Sequence, residues 1–589
     1  MPFGYHGCYL RIDASNGTVE RLPIAETVLR QFIGGSGLGV RLLLDDGCAD
    51  LDALHPRAPL IFAFSPLVGS SLTTSAKFAV VSKSPLTDRV NDALASSGFA
   101  VAGKNCGCDA IVIVGRAPEL SVLIIDDGEV RLESAADVAG MTCQDTGARL
   151  RTRLGAPFRI AAIGPAGEKG VRYASISHDG RHAGRGGSGA VMGAKNIKAI
   201  AVRGTHRVEW AHPRDMTAIS KDLSQRSFGP ATAKYRELGT AGNLLTFNRF
   251  GALPTRNFQS GEFADAENLS VEQLSATREK TRDSCVACTI GCEHIYTIGG
   301  PHLRHGYGGH AGSGGGVRVE YESLFALGSL CGIGDADVVL RAVRRCDELG
   351  IDTISTGGTI AFAMECVERG WLDGPWLTFG SGGALLRAIE LIGSREGLGD
   401  LLAEGSRRAA HAIGHGSIAI APQVKGLEIP GYEPRALQTM ALGFAVGARG
   451  ADHNRSGAYE VDFSEKVDRR NVTLDAVRHA IDTEDRAALM DSLIVCKFLR
   501  GVFEDFHDAA ATMLRSVTGW DVTAAELRDI ATRIVATKRE FNLLAGWTQA
   551  EDTLPDRFLT TPLPEDAAAE LSRERLAALV AEYHRQRRW

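Results

Sequence analysis

GRGGSGAVMGAKNIKAIAVRG, residues 184–204, is the stretch on which the fold turns. It opens with a glycine cluster, GRGGSGA, whose missing side chains let a backbone come close to a ligand. It ends in the short apolar run IKAIAV, which reads as a strand. Toward the N-terminus the same kind of run recurs between turn residues: LIFAFSPL, KFAVVSKSP, DAIVIVG, SVLIIDD and FRIAAIG. Toward the C-terminus, THRVEWAHPR (residues 205–214) marks a boundary. Beyond it DADVVLRAVRRCDELG, TIAFAMECVERG, GALLRAIELIG, DLLAEGSRRAAHAIG and AAELRDIATRIVATKREFNLLAGW carry apolar positions at helical spacing. GSIAIAPQVKGLEIP predicts a strand between two helical regions. A second cluster, GGSGLG at residues 34–39, and 68 glycines in all point to a large bound cofactor.

The chain has 589 residues, more than one hydrophobic core serves, so several domains are expected. Its composition, 44% hydrophobic and 23% charged, is that of a globular protein. A net charge of −6 offers no broad basic surface, so nucleic acid is not an expected partner. No apolar run reaches the roughly 18 residues of a membrane span, and MPFGYHGCYLRID has no secretory pattern. A cytoplasmic location is expected, which makes the 12 cysteines thiols or metal ligands.

Three of them stand together. SCVACTIGC places Cys285, Cys288 and Cys292 in a C-x2-C-x3-C pattern. Three thiolates this close hold one metal centre, and iron–sulfur clusters are held by cysteine thiolates. A zinc ribbon would pair two C-x2-C hooks, and no second hook exists. A fourth ligand must come from elsewhere. GGPHLRHGYGGHAGSGGG, residues 299–316, follows directly. His302, His305 and His310 invite a metal reading, but a flexible glycine loop accounts for the composition better.

With these blocks in view, the sequence resembles the aldehyde:ferredoxin oxidoreductase family along nearly its whole length. The resemblance runs in order through SPLTDRV, GCDAIVIVGRA, IGPAGEKGVRYASI and GRGGSGAVMGAKNIKAIAVRG. It continues through EYESLFALGSLCGI, DELGIDTISTGGTIAFAMECVERG, VKGLEIPGYEPRALQTMALGFAVGARGADHNRS and DSLIVCKF. It implies an α+β architecture, in which an N-terminal domain of two twisted β-sheets (1–207) underlies a metal carried by two pyranopterins. Two mainly helical domains, 208–430 and 431–589, then cover it. Tungsten is the usual metal, with molybdenum the alternative. A 4Fe–4S cluster on Cys285, Cys288, Cys292 and the distant Cys496 is implied beside it.

Each pterin in the family meets a D-x-x-G-L-C/D segment. Here the copies read Asp347-Glu-Leu-Gly-Ile-Asp352 and Asp491-Ser-Leu-Ile-Val-Cys496, with Val495 also beside the pterin. Ile494 stands where glycine is expected. The implied cationic and backbone contacts to the pterins are Arg181, His182, Arg185, Lys77, Arg455 and Ser96. Lys77 replaces an arginine and Arg455 a lysine, which keeps charge and changes geometry. A magnesium ion bridging the pterin phosphates is also implied, although Leu94 replaces the asparagine beside it. Glu322 is implied to orient water or substrate, and His453 to polarise the carbonyl or shuttle a proton. The expected activity is oxidation of an aldehyde to a carboxylic acid, with electrons passing through the cluster to ferredoxin or a similar carrier. The alternatives are a low-potential reductase of a carboxylate or thioester, and a non-catalytic 4Fe–4S electron-transfer subunit. Either a homodimer or a subunit of a larger redox complex fits the resemblance.

Overall fold

The computed structural model describes residues 2–299 and 316–589. His302, His305 and His310 lie outside the described residues. Twelve strands fill the first third of the chain: β1 (Cys8–Asp13), β2 (Thr18–Pro23), β3 (Leu60–Ala63), β4 (Lys77–Lys83), β5 (Val90–Ser96), β6 (Ala110–Val114), β7 (Ser121–Asp126), β8 (Glu129–Ser134), β9 (Arg159–Ala162), β10 (Ile176–His178), β11 (Arg181–Ala183) and β12 (Ile197–Arg203). They form two six-stranded mixed sheets, ordered β2-β1-β6-β3-β4-β5 and β11-β10-β9-β12-β7-β8. Each apolar run read as a strand is one: β3, β4, β6, β7, β9 and β12.

The runs are continuously apolar because both faces of these strands are covered. In β4, Phe78 and Val80 face the second sheet, in a core with Phe62, Ile111, Ile176, Ile200 and Val202. Ala79 and Val81 join a different core with Val40 and Leu43 of the helix Gly35–Asp45. In β12, Ile200 and Val202 face the first sheet, whereas Ala199 and Ala201 pack with Leu150 of the helix Cys143–Leu154. Period-two alternation thus sorts each strand between two apolar cores.

A small sheet, β13 (Lys280–Asp283), β14 (Glu293–Thr297) and β15 (Gly316–Val319), follows, and the cysteine segment is the connection between β13 and β14. The remainder is helical. Helices Ala336–Leu349, Phe506–Thr518 and Ala524–Leu544 start at Asp335, Asp505 and Thr523, whose side chains accept from backbone N–H groups of the first turn. The strand expected in GSIAIAPQVKGLEIP reduces to a 3-10 turn, Ser417–Ile420, and the two-residue pair Gln423–Val424 with Leu427–Glu428. Among the described residues, no single helix is long and apolar enough to cross a membrane.

The glycine clusters correct the first reading of them. A Cβ on Gly35 would lie 2.4 Å from the Asp491 carbonyl oxygen, and one on Gly37 2.8 Å from Ser492 Oγ. These glycines admit the end of the helix Asp475–Leu493 instead of a ligand. In the second cluster a Cβ on Gly187 (φ +80°) would meet the Arg172 carbonyl oxygen at 2.0 Å. Gly184 alone of the 184–190 glycines lines the cavity described below, with nothing within 4 Å of its Cβ position. Gly187→Ala should therefore cost about 2 kcal/mol or more, from overpacking and a strained φ. Gly184→Ala should leave the urea midpoint where it is, and denaturation curves of the two variants check the contrast.

Candidate active site

A cavity of about 870 Å³ lies where β4, β5 and β11 meet the ends of two helices and the cysteine loop. Its walls include Lys77, Ser96, Arg181, His182, Arg185, Asp347, Asp352, Arg455, Asp491 and Val495, together with Glu322, His453 and all four thiols of Cys285, Cys288, Cys292 and Cys496. Every pterin, cluster and catalytic candidate raised by the sequence lines this one space.

The two D-x-x segments arrive by the same device. Asp347 sits in the last turn of the helix Ala336–Leu349, which stops at Gly350 in the left-handed region (φ 73°). Asp491 sits in the last turn of Asp475–Leu493, which stops at Ile494, also left-handed (φ 65°). The expected difference at Ile494 is thus small in backbone: a β-branched residue takes the glycine conformation, held by burial against the core of β4 and the helix Gly35–Asp45. After each stop the chain turns outward to Asp352 or Cys496.

Charges in the cavity are matched closely. Asp491 Oδ2 is 3.1 Å from Arg455 Nη1 and 3.1 Å from Lys497 Nζ. Asp347 is matched differently: its Oδ1 lies 3.2 Å from Nε2 of His182, an imidazole that burial lowers to about 3 and so keeps neutral, and burial raises the carboxyl to about 6 against the pull of Arg318. Arg185 Nε reaches Asp352 at 3.3 Å while Nη1 donates to the Ala451 carbonyl at 2.7 Å. Arg181 pairs with Glu293. Ser96 Oγ donates to the Ala76 carbonyl at 3.0 Å, which commits its hydroxyl proton. Burial works against charge on Lys77, yet Cys496, Cys285, Asp491 and Cys288 together hold its pKa above the ordinary value. Burial raises the Cys292 thiol, and Cys496, Cys285 and Cys288 raise it further, so the distant cysteine stands with the three neighbours. Among the described residues no three His, Cys, Asp or Glu side chains converge on a single-ion site.

Glu322 and His453 form a separate pair. Glu322 Oε2 accepts from the Gly431 N–H at 2.9 Å, and Oε1 lies 3.6 Å from His453 Nε2 without a hydrogen bond. Burial raises Glu322 to about 8 and lowers His453 to about 3. Both are therefore neutral near pH 7.

Several residues escaped the sequence reading. Arg318 and Arg449 line the same cavity. Asp92, one strand position from Ala93, binds Lys538 Nζ at 2.7 Å and Arg455 Nε at 3.2 Å. Thr74 (φ 69°) donates its N–H to the Ala287 carbonyl at 2.5 Å and accepts from the Cys496 N–H through Oγ1 at 3.2 Å. It ties the cysteine loop to the fourth thiol. Charge was the only available signal, at Arg318, Arg449 and Asp92, and Thr74 offered none.

Comparison with known proteins agrees with this arrangement. Residues 9–204 match the N-terminal domain of aldehyde ferredoxin oxidoreductase, and residues 218–589 match its domains 2 and 3. The tungsten-containing aldehyde ferredoxin oxidoreductase of Pyrococcus furiosus is 36% identical, covering 100% of this chain and 96% of the relative. This chain belongs to the aldehyde ferredoxin oxidoreductase family. It is accordingly an oxidoreductase. The family is not uniform: an aliphatic sulfonate oxidoreductase, WOR-like subunit, of the same organism is 29% identical over 99% of this chain and 94% of the relative. The active-site complex of a benzoyl coenzyme A reductase shares the fold, with TM-score 0.81 and 22% identity over 100% of this chain and 95% of that one.

For an aldehyde ferredoxin oxidoreductase of the tungsten-containing kind, the residues present must suit an anionic pterin group. Arg449 is only 4% exposed; its Nε stands 3.5 Å from Asp452 Oδ2, outside hydrogen-bond geometry, and its Nη2 has no hydrogen-bond partner. A buried guanidinium left partly unmatched is costly, and a phosphate accepts from such a fork. With Arg181, Arg185, Arg318, Arg455, Lys77 and Lys497 around it, and Asp347 and Asp491 able to accept from pterin N–H groups, the donor set fits the cofactor.

A raised folded-state pKa contributes stability that is complete below the unfolded value and is lost as pH rises through the folded one. For Glu322 that window runs from its ordinary 4.5 to about 8. Glu322→Gln, which cannot ionise, should therefore gain thermal stability over wild type progressively across that window and hold the gain above it. Melting curves from about pH 5 to about pH 9 check this.

Proposed function

We propose that this enzyme oxidises an aldehyde to the carboxylic acid and passes the electrons through a 4Fe–4S cluster on Cys285, Cys288, Cys292 and Cys496 to ferredoxin or a similar carrier. The observation that carries the reading is the meeting, in one cavity, of four thiols, a partly unmatched buried guanidinium and a neutral Glu322–His453 pair. A tungsten bis-pyranopterin, with molybdenum the alternative, supplies the two-electron redox chemistry and the activated oxygen when bound.

The chain's own groups account for the proton side. Aldehyde plus water gives carboxylic acid, two protons and two electrons, so a proton acceptor must stand at the reacting carbon. Glu322, with a pKa of about 8, is poised to hold or take a proton near physiological pH. Asn454 Nδ2 lies 2.9 Å from His453 Nε2. If that amide donates, the ring proton sits on Nδ1, a buried atom without a partner, and is available to a carbonyl oxygen. His453 thus polarises the carbonyl, and Glu322 orients the water, its ionised fraction near physiological pH being the form that can take the proton. Arg181, Arg185, Arg455 and Arg449 bind the pterin phosphates, and Asp347 and Asp491 the pterin rings. Leu94 offers no side-chain oxygen or nitrogen, so this position would not hold a magnesium ion through its side chain. In this reading the domains run 1–207, 208–430 and 431–589, and the protein works in the cytoplasm as a homodimer or a subunit of a larger redox complex.

Two measurements test this. Anaerobically purified protein should carry about four irons and one tungsten or molybdenum per chain, and Cys496→Ala should lose or convert the cluster as fully as Cys288→Ala. An intact, reducible 4Fe–4S spectrum in Cys496→Ala overturns the ligand assignment. Glu322→Gln and His453→Asn should retain both metals while turnover with a viologen acceptor falls about 10² to 10⁴-fold. Asp347→Ala should lower tungsten occupancy as well. Normal rates per bound tungsten in the first two overturn the catalytic roles.

A further inference from the structure

Beside the Glu322–His453 pair the cavity wall is aromatic. Tyr432 stacks on the His453 ring (centroids 4.8 Å, 27°) and lies 5.0 Å from Tyr459. Phe247 is 5.2 Å from Tyr432, meets Tyr321 edge-on at 4.9 Å (82°), and stacks on Phe463 at 5.2 Å and 6°. All five rings line the cavity. Phe247, Tyr321 and Tyr432 are also members of the main core, and core packing alone would account for them. It does not account for the outer end of the array. Phe463 is 39% exposed while still lining the cavity, so a large ring stands at the mouth, in water.

We propose that this wall is a subsite for the aryl group of an aromatic aldehyde, so that the enzyme prefers a flat arene to an aliphatic group of equal size. This rests on the reading that the aldehyde carbon meets Glu322 and His453. The array runs unbroken from the exposed Phe463 through Phe247 and Tyr432 to His453. A planar substrate therefore finds ring contacts at the entrance and again beside the catalytic pair. Aromatic pairs contribute about 0.5–1.5 kcal/mol beyond the area they bury, which is up to about tenfold per well-made contact. A saturated ring of the same volume gains the area and not the ring contacts. The redox balance is unchanged: arene carbaldehyde plus water gives the arene carboxylic acid, two protons and two electrons, the electrons leaving by the proposed cluster to the carrier.

The test compares benzaldehyde with cyclohexanecarbaldehyde, which differ in flatness and π-character far more than in size, using holoenzyme and a viologen acceptor. The expected result is a kcat/KM ratio of about tenfold or more in favour of benzaldehyde, falling several-fold in Phe463→Leu, which keeps an apolar side chain and loses the ring. Calorimetry with the products as probes gives a second readout independent of turnover: benzoate should bind more tightly than cyclohexanecarboxylate. Equal or reversed preference in both measurements, or a ratio unchanged in Phe463→Leu, overturns the aryl subsite while leaving aldehyde oxidation standing. Preferential benzoate binding with neither aldehyde oxidised supports the subsite and overturns the aldehyde reading instead.

Discussion

Asp92 is a carboxylate almost wholly cut off from water, and groups from distant stretches of chain close on it. Ser36 donates from the first glycine-rich helix, Lys538 from the helix Ala524–Leu544, and Arg455 from the short helix His453–Ser456, with Arg449 at 3.9 Å. Burial alone would push this acid up, but Lys538, Arg455 and Arg449 hold it well below the ordinary carboxylate range. The dependence runs both ways. Removing one member of a buried ionic group leaves the others unpaired, at about 3–5 kcal/mol. The cations that face the cavity can stay charged and fixed there because an anion waits behind them on β5.

The same constraint explains why the cavity lies at the junction of sheets and helices. Cations come largely from the β-rich part, in Lys77, Arg181 and Arg185, and from the turn around Arg449 and Arg455. The acids that face a ligand come from two helix ends. Each helix is stopped by a left-handed residue, Gly350 or Ile494, so that its final turn presents an aspartate and the next residues leave the axis. Glycine does this without strain. Isoleucine does it at a cost of about 1–2 kcal/mol, offset because its side chain fills the space that Gly35 leaves open: a Cβ on Gly35 would lie 2.5 Å from Ile494 Cδ1. A glycine in the first cluster and an isoleucine where glycine was expected are therefore two halves of one contact.

How far the sequence discloses this depends on the range of the interaction. The strands were legible because double-sided burial writes a local signal, a continuous apolar run such as IKAIAV. The helices were legible through period and caps. The cysteine trio was legible because its spacing is local, while Cys496 came only from the family resemblance. Glycine spacing was misleading: it reports that something comes close, not whether that is a ligand or a neighbouring part of the chain, and at Gly35, Gly37 and Gly187 it is the chain. Asp92 and Thr74 were invisible because their partners lie hundreds of residues away, at Lys538 and Cys496, and nothing in a short window distinguishes a hub aspartate in VNDALAS from a strand-edge charge.

The site's electrostatics also separate two kinds of polar residue that a sequence treats alike. Around the thiols and helix ends the groups are charged and paired, as at Asp491 with Arg455 and Lys497. At Glu322 and His453 they are neutral and incompletely bonded, since burial raises the acid to about 8, lowers the base to about 3, and leaves Oε1 and Nδ1 without partners. Paired charges fix a ligand but exchange protons poorly, because each is held in its ionised form by its partner. A neutral acid and a neutral imidazole 3.6 Å apart have no such anchor. Burial, to which the aromatic rings beside them contribute, keeps them neutral. On the proposed reading, the division of the cavity into an ionic half and an aromatic half is what would allow one fold to grip an anionic cofactor and still move a proton next to it.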